Sequence, residues 1–372
     1  MNSQQDIKTL LDDLGTARRF QAAARLASLG EAVYSAVLQT LERESVAQIE
    51  GVCIFFAGEG AHAARFLVHA CVHGDLRHQL RANWVLGELP PSYAAHLTPF
   101  IHNVDPQVRE KAVRLLGERD AVGQVGPLLE AAHDVEPQVR AAAATELGKV
   151  GGEQAVRLLL EILDHYDSSE RAAAAAALGQ LRASEAVRPL INCLDAEEGS
   201  VRGAAANALG QIGDSGAVMP LILALQRRGF SEAITALGLI GDTRAARPLV
   251  GYLVDRHTWG FFPARDALTA LGSPSVGPLI DALQDDNHDM RMAAAMSLGE
   301  IGDARAVRPL LSMWRDPDGD VWASAADALG HLEAVAAPAI SAAIGNARGR
   351  RKAFLERALA AAEHRAWLRS IP

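Results

Sequence analysis

A Leu-Gly pair, or its equivalent, recurs along this chain, with its glycines at Gly30, Gly58, Gly87, Gly117, Gly148, Gly179, Gly210, Gly238, Gly272, Gly299 and Gly330. Successive separations are 28, 29, 30, 31, 31, 31, 28, 34, 27 and 31, so the 372 residues divide into eleven units with a period near 31. A unit this short cannot bury an apolar face alone and must stack on its neighbours. The clearest copy is Val201–Leu225, VRGAAANALGQIGDSGAVMPLILAL. Val201, Ala205, Ala208 and Leu209 fall on one helical face, and Val218, Leu221, Ile222 and Leu225 on a second. Between them Gly210 and Gly213 are expected to break the first helix, and Asp214 to cap the next.

Two further signals mark the helix starts. Pro127, Pro189, Pro220, Pro248, Pro278 and Pro309, each followed by Leu, lie early in the second helix, where the first N–H groups have no intrahelical acceptor. Asp105-Pro106-Gln107-Val108-Arg109 and Glu136-Pro137-Gln138-Val139-Arg140 combine an acidic N-cap, a first-position proline and a buried valine. The fold class is therefore all-α. The alanine blocks Ala141–Ala144 and Ala172–Ala177 predict closely apposed first helices.

The pattern VRxxAAxxLGxIGDxxAVxPLxxxL, plainest at 201–225 and 290–311, resembles the short HEAT-like repeats named after the phycobilisome bilin lyases. The resemblance is strong over 105–340 and weaker, though in phase, over 1–104. It implies an α-α superhelix, a HEAT-like solenoid of about eleven helix pairs, with second helices lining the concave face. One continuous solenoid is expected: divergent repeats over 1–104, regular repeats over 105–345, and a basic capping helix over 346–372. That last segment carries Arg348, Arg350, Arg351, Lys352, Arg357, Arg365 and Arg369 against Glu356 and Glu363.

A formal charge of −9 argues against nucleic acid, whose affinity comes largely from Lys and Arg neutralising phosphates. Cys53, Cys71 and Cys193 are too scattered for a disulfide framework or a CxxC metal site and read as buried thiols. No signal peptide and no apolar run near 20 residues is apparent, so a cytoplasmic protein without a transmembrane segment is expected.

Several constellations offer chemistry. Arg109, Arg140, Arg171, Arg202 and Arg291, with Asp105, Asp134, Asp164, Asp195 and Asp285, read as a structural ladder between units. A second series, Arg65, Arg157, Arg188, Arg247 and Arg308, precedes the proline. It suits acids on a partner or ligand carboxylates, or else a solvated helix face. His62, His69 and His73 share a face, but too few ligands accompany them for a metal site. No His-Glu pair occurs, which departs from the di-iron pattern of the HEAT-like deoxyhypusine hydroxylases. Phosphate loops, nucleophile elbows and paired carboxylates are missing, so no catalytic residue and no cofactor is assigned.

Aromatic residues make up only 5% of the chain, and Tyr252, Trp259, Phe261, Phe262, Trp314 and Trp322 gather where the spacing is disturbed. Either they bind a partner or they fill the gap left by the shortened eighth unit. The expected partner surface is these six residues with Arg157, Arg188, Arg247 and Arg308. The expected function is a non-enzymatic scaffold that holds another protein. The alternative, implied by the resemblance alone, is a lyase or chaperone for a bilin-like tetrapyrrole, for which Leu80–Gly87 (LRANWVLG) resembles the aromatic-rich lyase helices.

Overall fold

The computed structural model describes residues 4–42, 46–118, 125–254, 261–345 and 347–369, and among them there are helices and turns but no strand. The chain forms two compact units, Met1–Leu181 and Arg182–Pro372. In the first unit the helices Pro106–Gly117, Pro137–Val150 and Ser168–Gln180 pack side by side as one layer. Val125–Ala131 and Glu153–His165 pack on each other as the second. In the second unit one layer runs Gly199–Ile212, Ser231–Ile240, Phe261–Leu271, His288–Ile301, Gly319–His331 and Gly349–Arg369. The short helices Ala246–Val250 and Val276–Ala282 pack together in its other layer, as do Val307–Ser312 and Glu333–Ile344. This is the helix-pair solenoid that the period requires.

The recurrent Leu-Gly pair does different work from that expected. Gly210 does not end its helix, which runs on to Ile212; Gly213, with φ 78°, is the left-handed C-cap. Gly210 is instead buried against the next repeat, where a β-carbon would lie 2.9 Å from the Ala236 Cα. The same collision awaits a side chain at Gly148 against Ala177, Gly238 against Ala267, Gly299 against Ala328 and Gly330 against Ala361, at 2.4–2.8 Å. Glycine facing alanine lets adjacent first helices approach more closely than any larger pair allows, which is the use of the alanine blocks. Asp214 caps as expected, accepting from the Gly216 N–H at 2.6 Å, and Asp242 and Asp303 repeat the arrangement. Glu136, however, makes no side-chain cap; the Asp134 carboxylate takes the Glu136 N–H instead, at 2.9 Å.

A ladder of arginines ties the first helices together. The Arg109 Nε and Nη2 grip both oxygens of Asp134 at 2.7 and 2.8 Å, while Nη1 donates to the Asn103 and Val104 carbonyls. Arg291 repeats this fork on Asp316 at 2.8 and 3.0 Å, with Nη1 on the Asp285 and Asp286 carbonyls. Arg140 does so on the fully buried Glu170, not on Asp164, at 2.9 and 2.8 Å, with Tyr166 under its guanidinium. Each bidentate pair is charge-assisted and fixes the register of one repeat on the next. Arg202 places Nη1 on the Ala196 and Glu197 carbonyls in the same way, at 2.8 and 2.6 Å, but its buried Nε has no partner.

The N-terminal repeats are built otherwise. Tyr34, Phe55 and Phe56 are buried and, with Phe66, form a cluster of rings whose centroids lie 5.0–6.2 Å apart. The Tyr34 hydroxyl donates to Glu59 at 2.6 Å; burial, then that carboxylate, push its pKa up. Contrary to the expectation of no long apolar run, Gln48–His73 is a helix long and apolar enough by length and composition to cross a membrane. It is broken at Gly60 (φ 53°, ψ −122°), whose carbonyl accepts from the Tyr93 hydroxyl at 2.8 Å. Its two halves are thus a repeat's helix pair, with Phe55, Phe56, Leu67 and Val68 in the core. Cys71 and Cys193 are buried and Cys53 half-buried, all as free thiols; burial pushes Cys53 and Cys71 up to about 11.

Candidate interaction surfaces

The Val-Arg-Pro-Leu motif opens the second helix of a repeat and divides its side chains by direction. Val187 and Leu190 are buried, as are Val307 and Leu310, so the arginine between them must face outward. Arg157, Arg188, Arg247 and Arg308 are all exposed, as is Arg65. Arg157 pairs with Glu153 one turn back on its own helix. Arg247 reaches Asp281 of the following repeat at 2.8 Å, both side chains remaining largely in water. Arg188 and Arg308 have no ion-pair partner among the described residues. In the second unit this position reads Arg188, Met219, Arg247, Gly277 and Arg308, a guanidinium in three of five consecutive repeats.

The aromatic residues do not share one environment. Trp314 lies between the guanidinium groups of Arg315 and Arg351, at 5.1 and 5.9 Å from its ring centre. Trp322 packs on the buried Phe354 at 6.4 Å, with Arg350 over its ring at 5.8 Å. Both half-buried indoles therefore hold the basic helix Gly349–Arg369 against its repeat, each cation–π contact adding to the apolar burial. Phe262 is 64% exposed, under Arg265 at 5.4 Å, and with Leu239, Pro263 and Ala270 it lines a shallow apolar cavity of about 380 Å³. Tyr252 is half-buried, and burial pushes its hydroxyl pKa up. Phe261 opens the helix Phe261–Leu271, and Trp259 lies outside the described residues.

A further apolar surface lies on the helix Leu76–Glu88. Leu76, Leu80 and Trp84 stand at i, i+4 and i+8 of the helix Leu76–Glu88 and are 70%, 62% and 38% exposed. The signal was present in their spacing, but the same spacing marks a buried stripe, and only the packing shows which face it occupies. Of the histidines, His69 and His73 face each other at 4.8 Å, while His73 binds Asp105 at 2.8 Å and His62 approaches Glu31. No group of three or more His, Cys, Asp or Glu arranged for a metal occurs among the described residues.

The profile of HEAT repeats matches residues 94–176, 156–228 and 264–363. Comparison with curated proteins gives no match. Among solved structures, a Kap121p mutant is similar at 12% identity and a TM-score of 0.60, over 89% of this chain and 45% of that one. Yeast importin-β, Kap95p, in its structure with RanGDP, is similar at 14% identity and 0.53, over 96% of this chain and 55% of that one. The complex of CpcE and CpcF of phycocyanin lyase from a Nostoc species is similar at 23% identity and 0.37, over 64% and 94%. At these identities the likeness is one of fold.

Proposed function

The chain belongs to the HEAT-repeat family, and from that premise we propose that it is a non-enzymatic scaffold that holds another protein against the outward arginines of its second helices. The observation that carries this reading is the row Arg188, Arg247 and Arg308, held at one position of the repeat by buried neighbours while their heads stay in water. Spaced cations of this kind suit carboxylates on an extended partner. Phe262 and its cavity lie on the first-helix layer and offer a separate apolar contact rather than part of the arginine row. Tyr252, Phe261, Trp259 and Arg157 are further proposed contacts, whereas Trp314 and Trp322 are engaged with the helix Gly349–Arg369. The three free thiols suit a reducing compartment, and the cytoplasm is the proposed setting.

The test is capture of partners from the source cytoplasm by cross-linking, comparing the parent chain with Arg188→Ala/Arg247→Ala/Arg308→Ala. A partner retained by the parent and lost by the triple variant supports the reading; an identical set from both refutes it. Titration with a bilin, read by visible absorbance, separates the tetrapyrrole alternative in the same preparation.

A further inference from the structure

We propose that the second helices of the second unit hold an acidic segment of the partner in polyproline-II form, with an apolar side chain of that segment seated on Met219 and Leu223 between Arg188 and Arg247; that this row meets a protein rests on the scaffold reading above. Charge in this unit is sorted by layer. Five second helices, Val187–Cys193, Val218–Arg228, Ala246–Val250, Val276–Ala282 and Val307–Ser312, carry Arg188, Arg227, Arg228, Arg247 and Arg308 against Asp281 alone. The five first helices from Gly199–Ile212 to Gly319–His331 carry three arginines against six acids. A chain of net charge −9 thus keeps one positive layer, and a carboxylate that approaches it meets a favourable field. All five arginines are exposed. Asp281 holds Arg247 at 2.8 Å, but with both side chains largely in water that pair is worth little, and an incoming carboxylate can take its place.

The row is not cationic throughout. Met219 stands at the arginine's position in its repeat and is 47% exposed; Leu223, one turn further on, is 45% exposed. Among the described residues they are the only large apolar side chains exposed on these five helices. Val218, Leu221, Ile222 and Leu225 of the same helix are buried and close the core without them. Val187–Cys193 packs on the turn Ser215–Ala217, Val218–Arg228 on Thr243–Ala245, and Ala246–Val250 on Val276–Ala282, so Arg188, Met219, Arg247, Gly277 and Arg308 follow one another along one row. A side chain at Gly277 would meet nothing within 4 Å, which leaves open space between the last two arginines. Packed helices lie about 8–10 Å apart, and a polyproline-II segment advances about 9 Å in each three-residue turn. Such a segment therefore offers every third side chain to successive repeats, in the order acid, apolar, acid, any small residue, acid. A nucleic-acid strand carries a phosphate at every residue, and Met219 and Leu223 break the row where it would need a cation.

The experiment is fluorescence anisotropy of a labelled thirteen-residue peptide titrated with the full chain. The peptide carries glutamate at its first, seventh and thirteenth positions, leucine at its fourth, and proline and alanine elsewhere. Saturable binding is expected, weakened at least about tenfold when the leucine becomes glutamine and lost when the three glutamates do. Met219→Gln/Leu223→Gln, at exposed positions, is expected to keep the fold and to bind the leucine and glutamine peptides equally. Arg188→Ala/Arg247→Ala/Arg308→Ala should lose binding, whereas Arg244→Ala/Arg305→Ala, which removes exposed arginines from the adjoining turns, should bind as the parent does. The proposal is overturned by no saturable binding at millimolar protein, by equal parental affinity for the two peptides, or by equal binding when the three glutamates are moved to adjacent positions. A single-stranded oligonucleotide that displaces the peptide with higher affinity overturns it as well. Loss of a captured partner by the arginine triple variant, with parental capture by Met219→Gln/Leu223→Gln, leaves the scaffold reading standing and refutes this one; loss by both supports it.

Discussion

Around Tyr34 the stack is held by rings, whereas from Pro106 onward it is held by glycine against alanine and by charged forks. In the first region Phe55, Phe56 and Phe66 fill the space between helices, and glycines at the repeat position have open surroundings: a side chain at Gly30, Gly58 or Gly87 meets nothing within 4 Å. In the second, Gly148, Gly210, Gly238, Gly299 and Gly330 are in contact with the next helix, and each fork adds a register mark. Large side chains keep helices apart and tolerate variation in their spacing; small ones demand one distance. Within the region built from small residues the spacing holds at 31 from Gly117 to Gly210, and its sequence stays recognisable.

That contrast can be broken from either side. Phe56→Ala removes a fully buried ring and is expected to cost about 3–5 kcal/mol. Hydrogen exchange should show the loss confined to 46–73 and 76–88, with 288–331 still protected, because repeats couple mainly to their neighbours. Uniform loss would mean the two constructions are not energetically separate. Asp316→Asn leaves the Arg291 guanidinium, 13% exposed, without its anion and is expected to cost about 3 kcal/mol in urea unfolding. Arg202→Lys, which breaks no carboxylate pair, should cost clearly less.

Paired glycine substitutions sharpen the comparison further. Gly299→Ala drives a β-carbon to 2.8 Å from the Ala328 Cα and should destabilise by about 1–3 kcal/mol. Gly87→Ala, on an exposed helical position with free space, should instead stabilise by about 0.5–1 kcal/mol, since alanine loses less backbone freedom. Equal signs for the two would refute the packing role assigned to the Leu-Gly pair.

The smallest effect is one of pH. The Arg244 and Arg305 guanidinium groups, then the capped N–H groups, hold Asp242 and Asp303 down to about 2 from an ordinary 3.8. A lowered carboxylate contributes stability above its unfolded value and loses it as pH falls through the folded one. Melting temperature should therefore decline between pH 3.8 and about 2, and the decline should flatten there in Arg244→Ala/Arg305→Ala. An unchanged acid limb in that double variant would show that these turn pairs do not couple to folding.

Much of this was readable in one dimension. Helix pairs, their number, the Asp214 cap and the outward arginine of Val-Arg-Pro-Leu follow from spacing, because they depend on residues within one or two turns of each other. Gly210 reads as a helix stop in the sequence because a glycine's local effect is the same whether it ends a helix or lets another approach. Arg140 finds Glu170 rather than Asp164, and Trp314 and Trp322 meet the helix Gly349–Arg369, across 30 residues or more of chain. Residue spacing alone dictates the repeat and the apolar faces of its regular helices. Which side chains touch is a matter of packing between repeats, because the distance and register of neighbouring helices are contained in no single repeat.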